Sequence, residues 1–99
     1  MSIKFFKLNA KYLIEFIVTM IIIIIGLYFK GHWLIIGSAI GIFILIFSSY
    51  YYTAFNPAVV MVLFLSNKLS KMEAFGYIIS EMLGAISAYY IFSNLKLLF

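Results

Sequence analysis

Phe55-Asn56-Pro57-Ala58-Val59-Val60-Met61-Val62-Leu63-Phe64-Leu65 is the stretch on which the fold turns. Pro57 cannot continue a helix arriving from the N-terminal side, because it lacks an N–H and clashes with the preceding turn. The residue before a proline is pushed out of the helical region, so Asn56 is expected to be extended. Proline fits well at the first position of a new helix, where its missing N–H would have had no partner. A helix is therefore expected over 57–65, with Asn56 as its N-cap. Nine residues make about 13 Å, roughly half a hydrocarbon layer. A helix this apolar and this short cannot span a bilayer, but it can dip to the midplane and return.

Outward from this stretch the sequence reads as membrane protein. The 99 residues bound it to one small domain, with 67% hydrophobic and 10% charged residues. A soluble chain this short could not cover that much apolar surface with polar groups. Apolar spans are expected at about 12–29, 33–49 and 74–93. The first holds the unbroken run Ile21 to Ile25 and one charge, Glu15. With no small-x-small cleavage site after Gly26, it is read as a retained helix, a cleaved signal being the alternative. Lys30-Gly31-His32 forms a tight connection, flanked by the interfacial aromatics Tyr28 and Trp33. Tyr50, Tyr51 and Tyr52 read as a further interfacial anchor. Ser70-Lys71-Met72-Glu73 is a capping-box pattern that announces the last span. No low-complexity linker and no clear internal repeat is visible.

The fold class expected is all-α: three transmembrane helices plus one re-entrant half-helix. Small residues recur every four positions at Gly76, Ser80, Gly84 and Ala88, giving one helix face on which another backbone can approach closely. Gly37 and Gly41 place a second such face on the second span. All seven cations are lysine. Lys4, Lys7, Lys11, Lys68 and Lys71 fall on one side and Lys30 and Lys96 on the other, so the N-terminus is expected in the cytoplasm. The lysines stand singly beside apolar stretches, which does not point to nucleic acid.

The N-terminus of a half-helix at the midplane carries about half a positive charge and unpaired N–H groups. With the Asn56 amide, it would orient water or a hydroxyl by its oxygen and repel cations. The plainer reading is a proline kink in a buried hairpin, with Asn56 as a cap alone. Glu15 and Glu81 lie within spans, where ionisable groups usually face a protein interior or a wet cavity. Either relays protons or attracts cations, or it accepts hydrogen bonds from the irregular backbone near Pro57. For Glu15, near its helix end, the second reading is preferred; Glu81 is deeper and stays open. No cysteine exists, and His32 stands alone in a loop, so no metal site or cofactor is expected. No nucleophile–base pair or phosphate loop appears, so an enzyme is not expected.

The pattern resembles the first repeat of the major intrinsic protein family, the aquaporins and glycerol facilitators, from about Lys11 to Ser93. Glu15-Phe16 with Thr19 resembles the family's first-helix pattern. Phe55-Asn56-Pro57-Ala58-Val59 resembles its first half-helix motif. Tyr77-Ile78-Ile79-Ser80-Glu81 with Gly84-Ala85 resembles its third-helix pattern. The resemblance implies a passive channel for water or small neutral solutes such as glycerol. It would be built as a homo-oligomer or with a complementary half-channel, because the family pairs two inverted repeats. It also implies pore roles for Asn56, Pro57, Ala58 and Ile36. Ile36 falls where water channels place a constriction aromatic. Other departures are Glu81 for a usual glutamine, Val18 for a small residue, and Tyr52 and Ala54 for a usual Gly and His. The second Asn-Pro-Ala and its following arginine are not in these 99 residues; Val59 takes the matching position in this repeat. The alternative is a membrane interaction or scaffold protein without transport, or a channel remnant.

Overall fold

A short helix starts at the proline. In the computed structural model, which describes residues 10–98, the elements run α1 (Lys11–Tyr28), α2 (Trp33–Phe47), α3 (Pro57–Leu65) and α4 (Lys71–Leu98). Lys4 and Lys7, used for the orientation, lie outside the described residues. The described residues are helical with connecting turns, without strands.

Asn56 caps α3 from an extended backbone (φ −154°, ψ 127°), its Oδ1 accepting the Ala58 N–H at 2.7 Å. The α4 capping box also forms. The Glu73 N–H donates to Ser70 Oγ at 3.1 Å, and the Ser70 N–H donates to Glu73 Oε1 at 2.9 Å. Each satisfies N–H groups that a helix start leaves unpaired.

The helix ends do not coincide with the ends of the apolar stretches. α2 ends at Phe47, not at 49, because Ser48 caps it and a turn follows, closed by the Tyr50 N–H on the Phe47 carbonyl at 3.0 Å. Its 15 residues make about 22 Å, short of a hydrocarbon layer. Two helices, Lys11–Tyr28 and Lys71–Leu95, are long and apolar enough to cross a membrane by length and composition. α4 is longer than the apolar reading of 74–93, because Ser93 and Asn94 lower hydropathy without breaking helical hydrogen bonds; Ser93 Oγ donates back to the Tyr89 carbonyl at 2.8 Å.

α1 packs chiefly against α4, and α3 also lies on α4. A core of Tyr51, Ala54, Val60, Leu69, Ala74 and Tyr77 joins the loop before α3 to α4. The molecule measures 43 × 26 × 24 Å, comparable along its length to a bilayer with headgroups, about 40–45 Å. Large apolar side chains cover its outside, among them Trp33, Leu45, Leu65 and Met72, each more than two-thirds exposed. In water such a surface would aggregate; in lipid it is solvated.

Of the two small-residue faces, one is used within the chain. A Cβ on Gly84 would lie 2.5 Å from the Phe16 carbonyl oxygen, and one on Gly76 would lie 2.6 Å from the Tyr12 ring. Ala88 is fully buried and Ser80 half-buried on the same helix. Gly37 and Gly41 are exposed, and a methyl added at either would meet no atom of the described residues within 4 Å.

Candidate functional site: the loop before α3 and its cavity

The chain between α2 and α3 turns inward, and Glu15 meets it. This carboxylate is fully buried on α1. Its Oε2 accepts the Tyr51 hydroxyl at 2.8 Å and the Ala54 N–H at 3.2 Å, and its Oε1 accepts the Phe55 N–H at 2.8 Å. These bonds satisfy buried backbone that is neither helix nor strand. They also hold Phe55 at φ +57°, a left-handed conformation that a bulky side chain rarely takes. Reversing the chain direction at Phe55 lets Asn56 extend and Pro57 begin a helix at once.

Tyr51 departs from the expected interfacial anchor. It is buried, and its ring packs edge-on against Tyr77 at 6.1 Å, because the loop folds inward and the hydroxyl has a carboxylate to reach. Tyr50 and Tyr52 stay exposed.

Asn56 and Pro57 line a cavity of about 420 Å³, walled by residues of α1, α2 and α4 that include Thr19, Ile40 and Glu81. Ala58 is exposed beside it. Ile36 is half-buried and stands apart from this cavity. Its Cδ1 would lie 3.5 Å from a methyl on Gly26, so it packs toward α1. Glu81 is buried on α4 close to Glu15, and among the described residues neither of its oxygens has a hydrogen-bond partner of good geometry.

A second cavity, of about 470 Å³, gathers one end of the molecule. Lys11 from the start of α1, Ser48 to Tyr52 after α2, Lys68 after α3 and Glu73 from the start of α4 all line it. At the other end, Tyr28, Phe29 and Lys30 line a cavity with Phe92 and Leu95. The segment between α2 and α4 thus departs from and returns to the same end.

That end is tied by an ion pair that sequence reasoning missed. Lys11 Nζ bonds Glu73 Oε2 across 62 positions, with the ammonium 5.3 Å from the Tyr12 ring centroid.

The glycerol uptake facilitator protein-like 6 of Lactiplantibacillus plantarum is 36% identical to this chain over 87 residues, a match that takes in 79% of this chain and 40% of that protein. The chain therefore spans about 40% of the length of the curated relative it matches. No family model matches the chain, and no solved structure does. The apolar helices and a relative named as a facilitator together suggest an integral membrane protein with a channel-type relationship.

Proposed function

We propose that the chain is a half-channel of the major intrinsic protein family, giving water or small neutral solutes such as glycerol a passive path once paired with a second half. In this reading α1, α2 and α4 cross the membrane and α3 is re-entrant. α2, short by itself, reaches the surface through the turn at Ser48 to Tyr50. One observation carries the reading most: the start of α3 opens on a cavity midway along the molecule, while its other end lies with the ends of α1, α2 and α4. The name of the relative supports the solute class.

The half-helix supplies one polar station. Its N-terminus favours the oxygen of a passing hydroxyl, and Asn56, whose Oδ1 is engaged by Ala58, keeps its amide N–H₂ to donate. A half-helix that stops at the midplane cannot complete a pore, so a second copy or a complementary half is needed. The unfilled Gly37/Gly41 face on α2 offers that partner a close approach. With Ile36 apolar and no arginine in the sequence, selectivity among small uncharged solutes should be loose.

Reconstitution from detergent places copies in both orientations, so inverted pairs can form in liposomes whatever the cellular topology. Stopped-flow swelling should show water and glycerol permeability above protein-free liposomes, with a drop of severalfold or more in Asn56→Leu. That substitution removes both the amide and the cap, the latter worth about 1 kcal/mol. Permeability no higher than in protein-free liposomes would defeat the channel reading and leave helix packing with a membrane partner.

A further inference from the structure

Three buried side-chain oxygens among the described residues lack a hydrogen-bond partner: Thr19 Oγ1 and both carboxylate oxygens of Glu81. They do not lie scattered. Thr19, on α1, and Glu81, on α4, line the same cavity of about 420 Å³. Thr19 is 5% and Glu81 2% exposed. Burying a carboxylate with neither oxygen satisfied is costly unless something completes it.

Among the described residues no hydrogen bond of good geometry completes it. Glu15 and the Asn56 N–H lie close enough to act on Glu81, but Glu15 already accepts from three donors and neither group reaches an oxygen of Glu81 in bonding geometry. Lys11 is held by Glu73 at the end of the molecule. The α3 N-terminus contributes only about half a positive charge. Ile22, Ile23, Ile40 and Ile44 make much of the remaining wall.

We infer that the Thr19–Glu81 wall is a binding site for a small primary ammonium ion, ammonium itself or a short alkylammonium such as methylammonium. Such an ion brings a positive charge and three or four N–H donors for the orphaned oxygens, and its alkyl group matches the isoleucine wall. A hard metal ion needs about six or more oxygens, and the wall offers three unengaged side-chain oxygens. A quaternary ammonium has the charge but no N–H to give. The site lies within one chain and needs no complete pore, so it stands apart from the transport reading.

Binding of radiolabelled methylammonium to the full chain in phosphatidylcholine nanodiscs tests it, since a zwitterionic lipid leaves the protein as the source of charge. Wild type should bind saturably, with displacement by ammonium and little displacement by tetramethylammonium. Glu81→Gln should weaken binding by tenfold or more, and Thr19→Val by severalfold. If Glu81→Gln does not fold, the Thr19→Val loss and the competition order on wild type carry the test. Absence of saturable binding, full affinity in Glu81→Gln or in Thr19→Val, or equal competition by tetramethylammonium would overturn it. Because no gradient is applied, binding without liposome swelling would sink the channel reading alone, and swelling without binding would sink this site alone.

Discussion

Glu15→Gln should unseat the loop before α3 and cost the fold several kcal/mol, more than any other single-atom exchange in the chain. The substitution is isosteric, so packing is not at issue. The carboxylate accepts from Tyr51, Ala54 and Phe55 with two oxygens. An amide has one acceptor oxygen, and its N–H₂ group is a donor. Whichever way the amide is turned, at least one buried N–H faces another donor. Leaving a buried donor unsatisfied costs about 1–3 kcal/mol, and each bond to the charged group was worth about 1.5–3 kcal/mol. The left-handed Phe55 adds about 1–2 kcal/mol of strain that nothing would then offset. Tyr51→Phe removes one bond and no backbone partner, so it should cost only about 1–2 kcal/mol. Unfolding in detergent should rank wild type, Tyr51→Phe, Glu15→Gln in falling stability. A Glu15→Gln protein as stable as Tyr51→Phe would mean that the loop is held by packing alone.

Gly84→Ala should have the next largest effect, and it should exceed Gly76→Ala although the two close approaches are nearly equal in distance. A methyl on Gly84 meets the Phe16 carbonyl oxygen at 2.5 Å and the Met20 backbone nitrogen at 3.3 Å. Backbone on α1 cannot step aside without moving the helix. α1 and α4 would separate, and Glu15 and Glu81 with them. Overpacking of this kind costs about 1–3 kcal/mol or more. A methyl on Gly76 meets the Tyr12 ring, the outer part of a side chain that can swing. What is lost there is part of the edge-on contact between Tyr12 and Tyr77, now 5.6 Å between centroids. Cysteine crosslinking between α1 and α4 in membranes should fail in Gly84→Ala and persist in Gly76→Ala. Equal behaviour would show that the close approach is not a requirement of the fold.

The contrast between local and distant information explains what could be read from the sequence. Pro57 and Asn56 act on their own neighbours, so a helix over 57–65 was legible from steric rules, and a helix is observed over Pro57–Leu65. The Ser70–Glu73 box is equally local. Glu15 announced only that it required partners. Those partners lie 36 to 40 positions away, and nothing in the intervening residues encodes which way the loop turns. Tyr51 looked like its neighbours Tyr50 and Tyr52 for the same reason: side-chain chemistry is alike, and only the inward fold distinguishes it. The Lys11–Glu73 pair, 62 positions apart, left no signal at all. The two glycine faces read identically in sequence, yet Gly76/Gly84 meets α1 and Gly37/Gly41 meets nothing among the described residues. Helix ends and apolar stretches differ where hydropathy and hydrogen bonding part company, at Phe47 and beyond Ser93.

The central claim is that the segment from Ser49 to Lys68 enters the membrane and leaves on the side it entered. The sequence contains no cysteine, so single introduced cysteines report their side without background. His32, Ser49 and Lys68 are exposed and lie in connections between helices. Labelling intact cells or sealed vesicles with a membrane-impermeant maleimide should place Ser49→Cys and Lys68→Cys on the same side and His32→Cys on the other. Ser49→Cys and Lys68→Cys on opposite sides would mean that this segment crosses the bilayer, and the half-channel account would fall with it.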